Sequence, residues 1–186
     1  INQISNEALA TRTYCHNMIM FVYLFCISIP QGGDILVGHL VGHRRHQAAY
    51  VLGNYFDRWS MIITLTGSAL LALSGQSILS AFTDNQEIIT MGVWVLVIDW
   101  FLEIGRTSNI FAVGTLRATG DAIYPVVIAI IFNWSIAVGL SYVIGIPLGY
   151  GLVGMWVGFA LDENVRGIIL LRRWRSGKWR NKGFVR

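Results

Sequence analysis

The sequence predicts an all-α membrane protein, a polytopic bundle of five spanning helices. Three observations carry that expectation. Of the 186 residues, 54% are apolar and only 13% charged, with a mean hydropathy of +0.56. Globular domains carry about 25% charged residues, and half that level cannot clothe a soluble surface. Five stretches are long and apolar enough to cross a bilayer, which takes roughly 20 residues. Finally, seven of the 14 Lys and Arg residues fall in the last fifteen positions, so the net charge of +4 belongs to the tail. After a long apolar run, such a tail marks the cytoplasmic end of a membrane helix rather than a nucleic-acid-binding arm. The apolar content also excludes a disordered chain.

The spans follow in order. The first covers residues 13–41, and its Pro30, Gly32 and Gly33 are expected to kink or loosen the helix just before Asp34. Loosened backbone at membrane depth is tolerated where it lines a cavity. Residues 45–58 form an amphipathic stretch with Ala48, Ala49, Val51, Leu52, Tyr55 and Phe56 among polar residues, expected as an interfacial extension of the next helix. The second span covers 59–82. Asp84 is the expected cap of the third span, 88–116. Gly120 ends that helix. The fourth span covers 124–146, and a turn at Ile146-Pro147-Leu148-Gly149 leads to the fifth, 152–171. Residues 1–171 thus form one unit, with a basic tail over 172–186.

Lys and Arg stay inside. The loops at 43–46 and 117–121 and the tail are then cytoplasmic, and those at 83–87 and 146–151 external. This leaves the N-terminus outside, which a missing upstream span would resolve. The chain begins with Ile, as expected of a fragment or a processed chain. Its first apolar run lacks the basic flank of a signal peptide.

Cys15 and Cys26, eleven residues apart, are separated by about 16 Å on one helix and cannot pair within a monomer. The spacing of His and Cys supports no metal site, and His39, His43 and His46 read as interfacial. Gly38 with Gly42, and Gly154 with Gly158, are close-packing pairs. Trp174 and Trp179 read as interfacial anchors, whereas Trp94, Trp100 and Trp134 are candidates for a cavity wall. No nucleophile elbow, phosphate-binding loop, zinc-protease motif or dinucleotide fingerprint appears, so neither an enzyme nor a cofactor is expected.

Charged residues inside the spans carry the functional signal. Asp99, Glu103 and Arg106 fall at i, i+4 and i+7 and share one face of the third span. A charge at mid-bilayer costs about 3 kcal/mol on insertion scales, so the stripe must face protein or water. Asp162, Glu163 and Arg166 repeat the arrangement in the fifth span. Four acids thus share two bases. Two readings stay open: static bridges tying helices together, or carboxylates that exchange a proton or bind a cation.

Several segments resemble the multidrug and toxic compound extrusion (MATE) family. Ile35-Leu36-Val37-Gly38-His39-Leu40-Val41-Gly42, followed by Ala48, resembles the end of a first lobe helix. Gly114-Thr115-Leu116-Arg117-Ala118-Thr119-Gly120-Asp121-Ala122-Ile123-Tyr124-Pro125 is similar to the family's cytoplasmic loop motif. Glu103-Ile104-Gly105-Arg106-Thr107-Ser108-Asn109 is similar to the segment before it. Asp162-Glu163-Asn164-Val165-Arg166, with Arg173-Trp174-Arg175-Ser176-Gly177-Lys178-Trp179, resembles the end of prokaryotic members. The resemblance implies twelve helices in two six-helix lobes, of which this chain supplies the last five and lacks the N-terminal lobe. It implies proton- or sodium-coupled antiport (H+ or Na+) of organic, often cationic and aromatic, compounds across a bacterial-type inner membrane, with the C-terminus cytoplasmic. Asp34, Asp99, Glu103, Arg106 and Asn109 are the expected coupling and cavity residues. Where several members carry a key acid, the aligned position holds Arg106, which with Arg12 would suit an anionic or zwitterionic aromatic cargo. Other readings are a related flippase for lipid-linked sugars and a non-transporting truncated membrane protein.

Overall fold

The computed structural model describes residues 6–182. Residues 1–5 and 183–186, including Arg186 of the tail, lie outside that range. The apolar runs wind into long helices: α1 (Asn6–Gly42), α2 (His46–Ser80), α3 (Gln86–Ala118), α4 (Ile123–Phe132), a π-helical segment (Asn133–Leu140), α5 (Ser141–Gly145) and α6 (Gly151–Arg175), then a 3-10 turn (Lys178–Asn181). No strand occurs among the described residues. Helices α1, α2, α3 and the continuous stretch Ile123–Gly145 are each long and apolar enough to cross a membrane.

Turn chemistry sets the boundaries. The α3 cap is Asn85, not Asp84: the Asn85 side chain accepts from the Glu87 N–H at 2.9 Å, and the Asn85 N–H donates to Thr83 Oγ1 at 3.2 Å. Gly120 ends the turn after α3 with φ 90°, and the Asp121 N–H returns to the Leu116 carbonyl at 2.8 Å. Gly149 and Gly151, at φ 77° and 57°, turn the chain between α5 and α6.

The expected loosening of α1 is not seen. α1 runs unbroken through Pro30 and Gly33; proline removes one intrahelical hydrogen bond, and tertiary packing holds the rest. The Phe56 ring lies where a Gly33 side chain would sit, 2.7 Å from that position. The irregular backbone lies instead in the π segment. Residues 46–58 are the first turns of α2, a helix extension as expected, and turn a face of small residues inward. Ala49, Gly53, Asp57, Ser60, Thr64 and Ser68 are buried, while Val51 and Tyr55 point outward. Small side chains let α2 lie close to its neighbours, which outweighs hiding the larger apolar ones in a lipid-facing protein.

α3 is the axis of the bundle and packs against α1, α2 and α6, whereas α4, the π segment and α5 lean mainly on α6. Two apolar clusters fill the ends. Leu79, Val95, Leu96, Leu102 and Leu152 build one. Val37, Phe111, Leu170, Trp174 and Trp179 build the other, at the basic end. Trp174 and Trp179 are therefore core residues, not interfacial anchors. Both are fully buried and stack at 4.6 Å, because Gly177 takes φ 68° and folds the 3-10 turn back. Tail residues are engaged too: Arg180 on this turn donates to Gln47 at 3.2 Å, and Arg173 at the end of α6 pairs with Asp121 at 2.7 Å.

Of the glycine pairs, Gly154 and Gly158 form a tight contact, with Ser141 against the place of a Gly158 side chain. Of the other pair, a side chain at Gly38 would meet Ala118 of α3 at 3.7 Å while Gly42 faces open space, so the two do not act together. The tightest crossing, α3 on α6, uses a pairing that no local motif announces. A side chain at Gly105 would meet the Asn164 backbone, and one at Gly167 would meet the Gly105 carbonyl at 2.7 Å.

Candidate functional site

Between the two apolar clusters lies a belt of charge. The 3.6-residue period places Asp99, Glu103 and Arg106 on one face of α3, and the Gly105 crossing turns that face toward α6. Asp99 is 3% exposed and Glu103 fully buried. One guanidinium serves both acids: Arg106 pairs with Glu103 Oε1 and reaches Asp99 Oδ1 at 3.8 Å. The Trp156 indole, on α6, donates to Asp99 Oδ1 at 3.2 Å. Arg106 also lies over the Tyr23 ring of α1 at 5.5 Å.

The second set has the same logic. Arg166 pairs with Asp162 at 2.5 Å and Glu163 at 2.9 Å. Asn109 donates to Glu163 Oε2 at 2.7 Å and so ties this second set to α3. Four carboxylates and two guanidiniums thus face one another at this crossing, with a formal excess of two negative charges. Arg106 is held by two carboxylates, which works against the anion-binding role expected of it.

Two cavities of about 260 and 270 Å³ border the network and share His16, Arg106 and Trp156. Asn133 and Ala137 of the π segment, with Asp162 and Glu163, line the second. Glu103 Oε2, Asn109 Oδ1, Asp162 Oδ1 and Arg166 Nε are buried without a hydrogen-bond partner. These groups retain capacity for a proton, water or guest.

The structure brings together Asp99, Glu103, Arg106, Asn109, Asp162, Glu163 and Arg166. Asp34 stands apart. It lies against Gly114, about two turns beyond Arg106 toward the basic end, and its Oδ1 has no hydrogen-bond partner. The aromatic wall is also not the expected one. Trp94 and Trp134 are 58% and 70% exposed, and Trp100 donates to the Leu65 carbonyl at 3.3 Å. Trp156 takes the cavity position instead. Its signal was present, because Trp156, Phe159, Asp162 and Arg166 recur at helical spacing on one face of α6. Asn133 had no signal, since nothing local marks a π segment.

A family model for MatE matches residues 1–150. The chain is similar to an uncharacterized transporter, YisQ, of Bacillus subtilis (strain 168), at 39% identity over 179 residues, covering 96% of this chain and 39% of the relative. It is similar to a probable multidrug resistance protein, NorM, of Thermotoga maritima, at 28% identity over 175 residues, covering 90% and 36%. Its identity to the NorM of Idiomarina loihiensis is 23% over 174 residues, covering 90% and 38%. The chain spans less than two-fifths of the length of these curated relatives.

Proposed function

The chain belongs to the MatE family of membrane proteins, and from that premise we propose that it forms the last five helices of a twelve-helix secondary antiporter. The whole protein exports organic, aromatic compounds in exchange for H+ or Na+, and this chain works against an N-terminal lobe. The observation that supports this reading best is the α3–α6 network, a buried excess of carboxylate beside two cavities. A static bridge needs one acid per base, and here each base is shared by two acids. The excess negative charge favours a cationic cargo over an anionic one. It also disfavours the reading as a flippase for lipid-linked sugars, which calls for a broad cation-rich cavity.

Glu103 is the proposed exchanging group, with one oxygen on Arg106 and the other free of hydrogen bonds. In the full-length protein, Glu103→Gln is expected to keep the fold and abolish ion-driven export. Equilibrium cargo binding survives and loses its dependence on pH or Na+. Normal ion-driven export by a well-folded variant overturns the assignment.

Sidedness follows from the Lys/Arg asymmetry: the 43–45 loop, Arg117 and the tail are proposed to face the cytoplasm of a bacterial-type inner membrane. Lys178 is exposed, and both native cysteines are buried. A cysteine placed at 178 is expected to resist an impermeant thiol reagent in intact cells and to react in inverted vesicles. Strong labelling in intact cells would reverse the topology.

A further inference from the structure

The buried face of α2 holds a second polar feature that the α3–α6 network does not use. Asp57, Ser60 and Thr64 lie at i, i+3 and i+7, one above another. Ser60 and Thr64 are fully buried and Asp57 is 9% exposed. Asp57 Oδ1, Ser60 Oγ and Thr64 Oγ1 all lack a hydrogen-bond partner. A single buried polar atom without a partner is uncommon, and three in succession on one helix face call for a reason. Ser68, one turn further on, differs, since its hydroxyl donates back to the Thr64 carbonyl at 2.9 Å.

Two close approaches between α1 and α2 fix where this column runs. Gly67 faces Val22 at 3.8 Å, and Gly33 faces Phe56 at 2.7 Å. In that antiparallel register Thr64 stands level with Cys26, and Ser60 with Pro30. Cys26 Sγ lies 3.4 Å from Thr107 Oγ1 and beside Glu103. Thr107 is the residue one turn after Glu103 on α3. The upper end of the column therefore lies level with the carboxyl whose Oε2 lacks a partner. Its lower end, Asp57, lies beside Arg175 at the basic end of the bundle. Glu103 also faces Asp99 and Arg106 on α3 and Glu163 on α6.

We propose that Asp57, Ser60 and Thr64 of α2, with Cys26 and Thr107, form a water-bridged proton exit from Glu103 to the cytoplasmic end, separate from the cargo cavities. The inference rests on Glu103 as the exchanging group and deepens that reading by making the proton the coupling ion. Asp57 to Thr64 spans about 10 Å of helix rise, more than one hydrogen bond, so bridging waters complete the chain. At each hop an oxygen accepts one proton and releases another. One proton leaves Glu103, one reaches cytoplasmic water, and no other bond changes. Glu103 Oε1 faces Arg106 at the cavities, which leaves Oε2 for the exit path. Proton and cargo then leave the site by different doors.

The test uses the full-length transporter in liposomes, with ethidium as a cationic aromatic probe. A Ser60→Ala, Thr64→Val double variant is expected to slow proton-driven ethidium transport by about tenfold or more. Ethidium–ethidium exchange at equal pH, which moves no net proton, stays at the wild-type rate, and Thr64→Ser keeps normal proton-driven transport. A normal proton-driven rate in the double variant overturns the proposal. So does parallel loss of exchange, which would make the hydroxyls structural, and so does transport driven by Na+ with no response to a pH gradient. If the double variant does not fold, Asp57→Asn is read by the same two assays against the same outcomes. Glu103→Gln, run alongside, separates the failures. Normal coupling in it removes the Glu103 assignment, whereas lost coupling there with normal α2 variants removes the exit path alone.

Discussion

Trp174→Ala is expected to destabilise the protein by about 3–5 kcal/mol, the range for truncating a large, fully packed aromatic side chain. Trp174 has no exposed surface. It stacks on Trp179 at 4.6 Å and meets Phe111 edge-on at 5.8 Å, and its indole donates to Asn54 at 3.2 Å. Gly53 leaves room for it, since a side chain there would come within 2.7 Å of the ring. The variant loses the stack, leaves Asn54 without its donor and frees the 3-10 turn. A lowered unfolding midpoint of the purified full-length protein is the readout, with Trp174→Phe losing less. A midpoint unchanged from wild type would return Trp174 to the role of a surface anchor.

Arg106→Ala is expected to cost a similar amount, about 3–5 kcal/mol, by stranding buried charge. Asp99 keeps its bond from Trp156, but Glu103 loses its cation. Arg106→Lys recovers only part of the loss, because an ammonium cannot fork between two carboxylates as a guanidinium does. Thermal unfolding of the three proteins, compared side by side, gives the order wild type, Lys, Ala. Equal midpoints for wild type and Ala would show that Arg106 does not stabilise the buried carboxylates of α3.

How much of this was legible depended on the range over which each feature is encoded. The long helices and the Gly120 and Gly149 turns were readable, because hydrophobic runs and left-handed turn positions are local properties. So were Asp99–Glu103–Arg106 and Asp162–Glu163–Arg166, since i+3 and i+4 neighbours meet on any helix. The Asn109–Glu163 link was not, because sequence alone does not say which helices adjoin. Asp84 and Asn85 are both good caps, and only the backbone geometry selects Asn85. Pro30 carries a strong local signal that packing overrode. Trp174 at the end of an apolar helix reads as an anchor until Gly53, far away in the chain, supplies its pocket. Which face of α2 is buried was not legible, because apolar side inward is no guide where the outside is also apolar.

The π segment has a consequence for how this span can change over generations. An α-helix advances about 100° per residue, so losing one residue from the middle of α3 would swing Asp99 or Asn109 away from α6. Wider winding over Asn133–Leu140 already holds surplus chain. A single deletion there can be absorbed by tightening to ordinary pitch, leaving Pro125 below and the Ser141–Gly158 contact above in their places. The span that leans on the rest of the bundle from one side is thus also the one whose length evolution can adjust most freely.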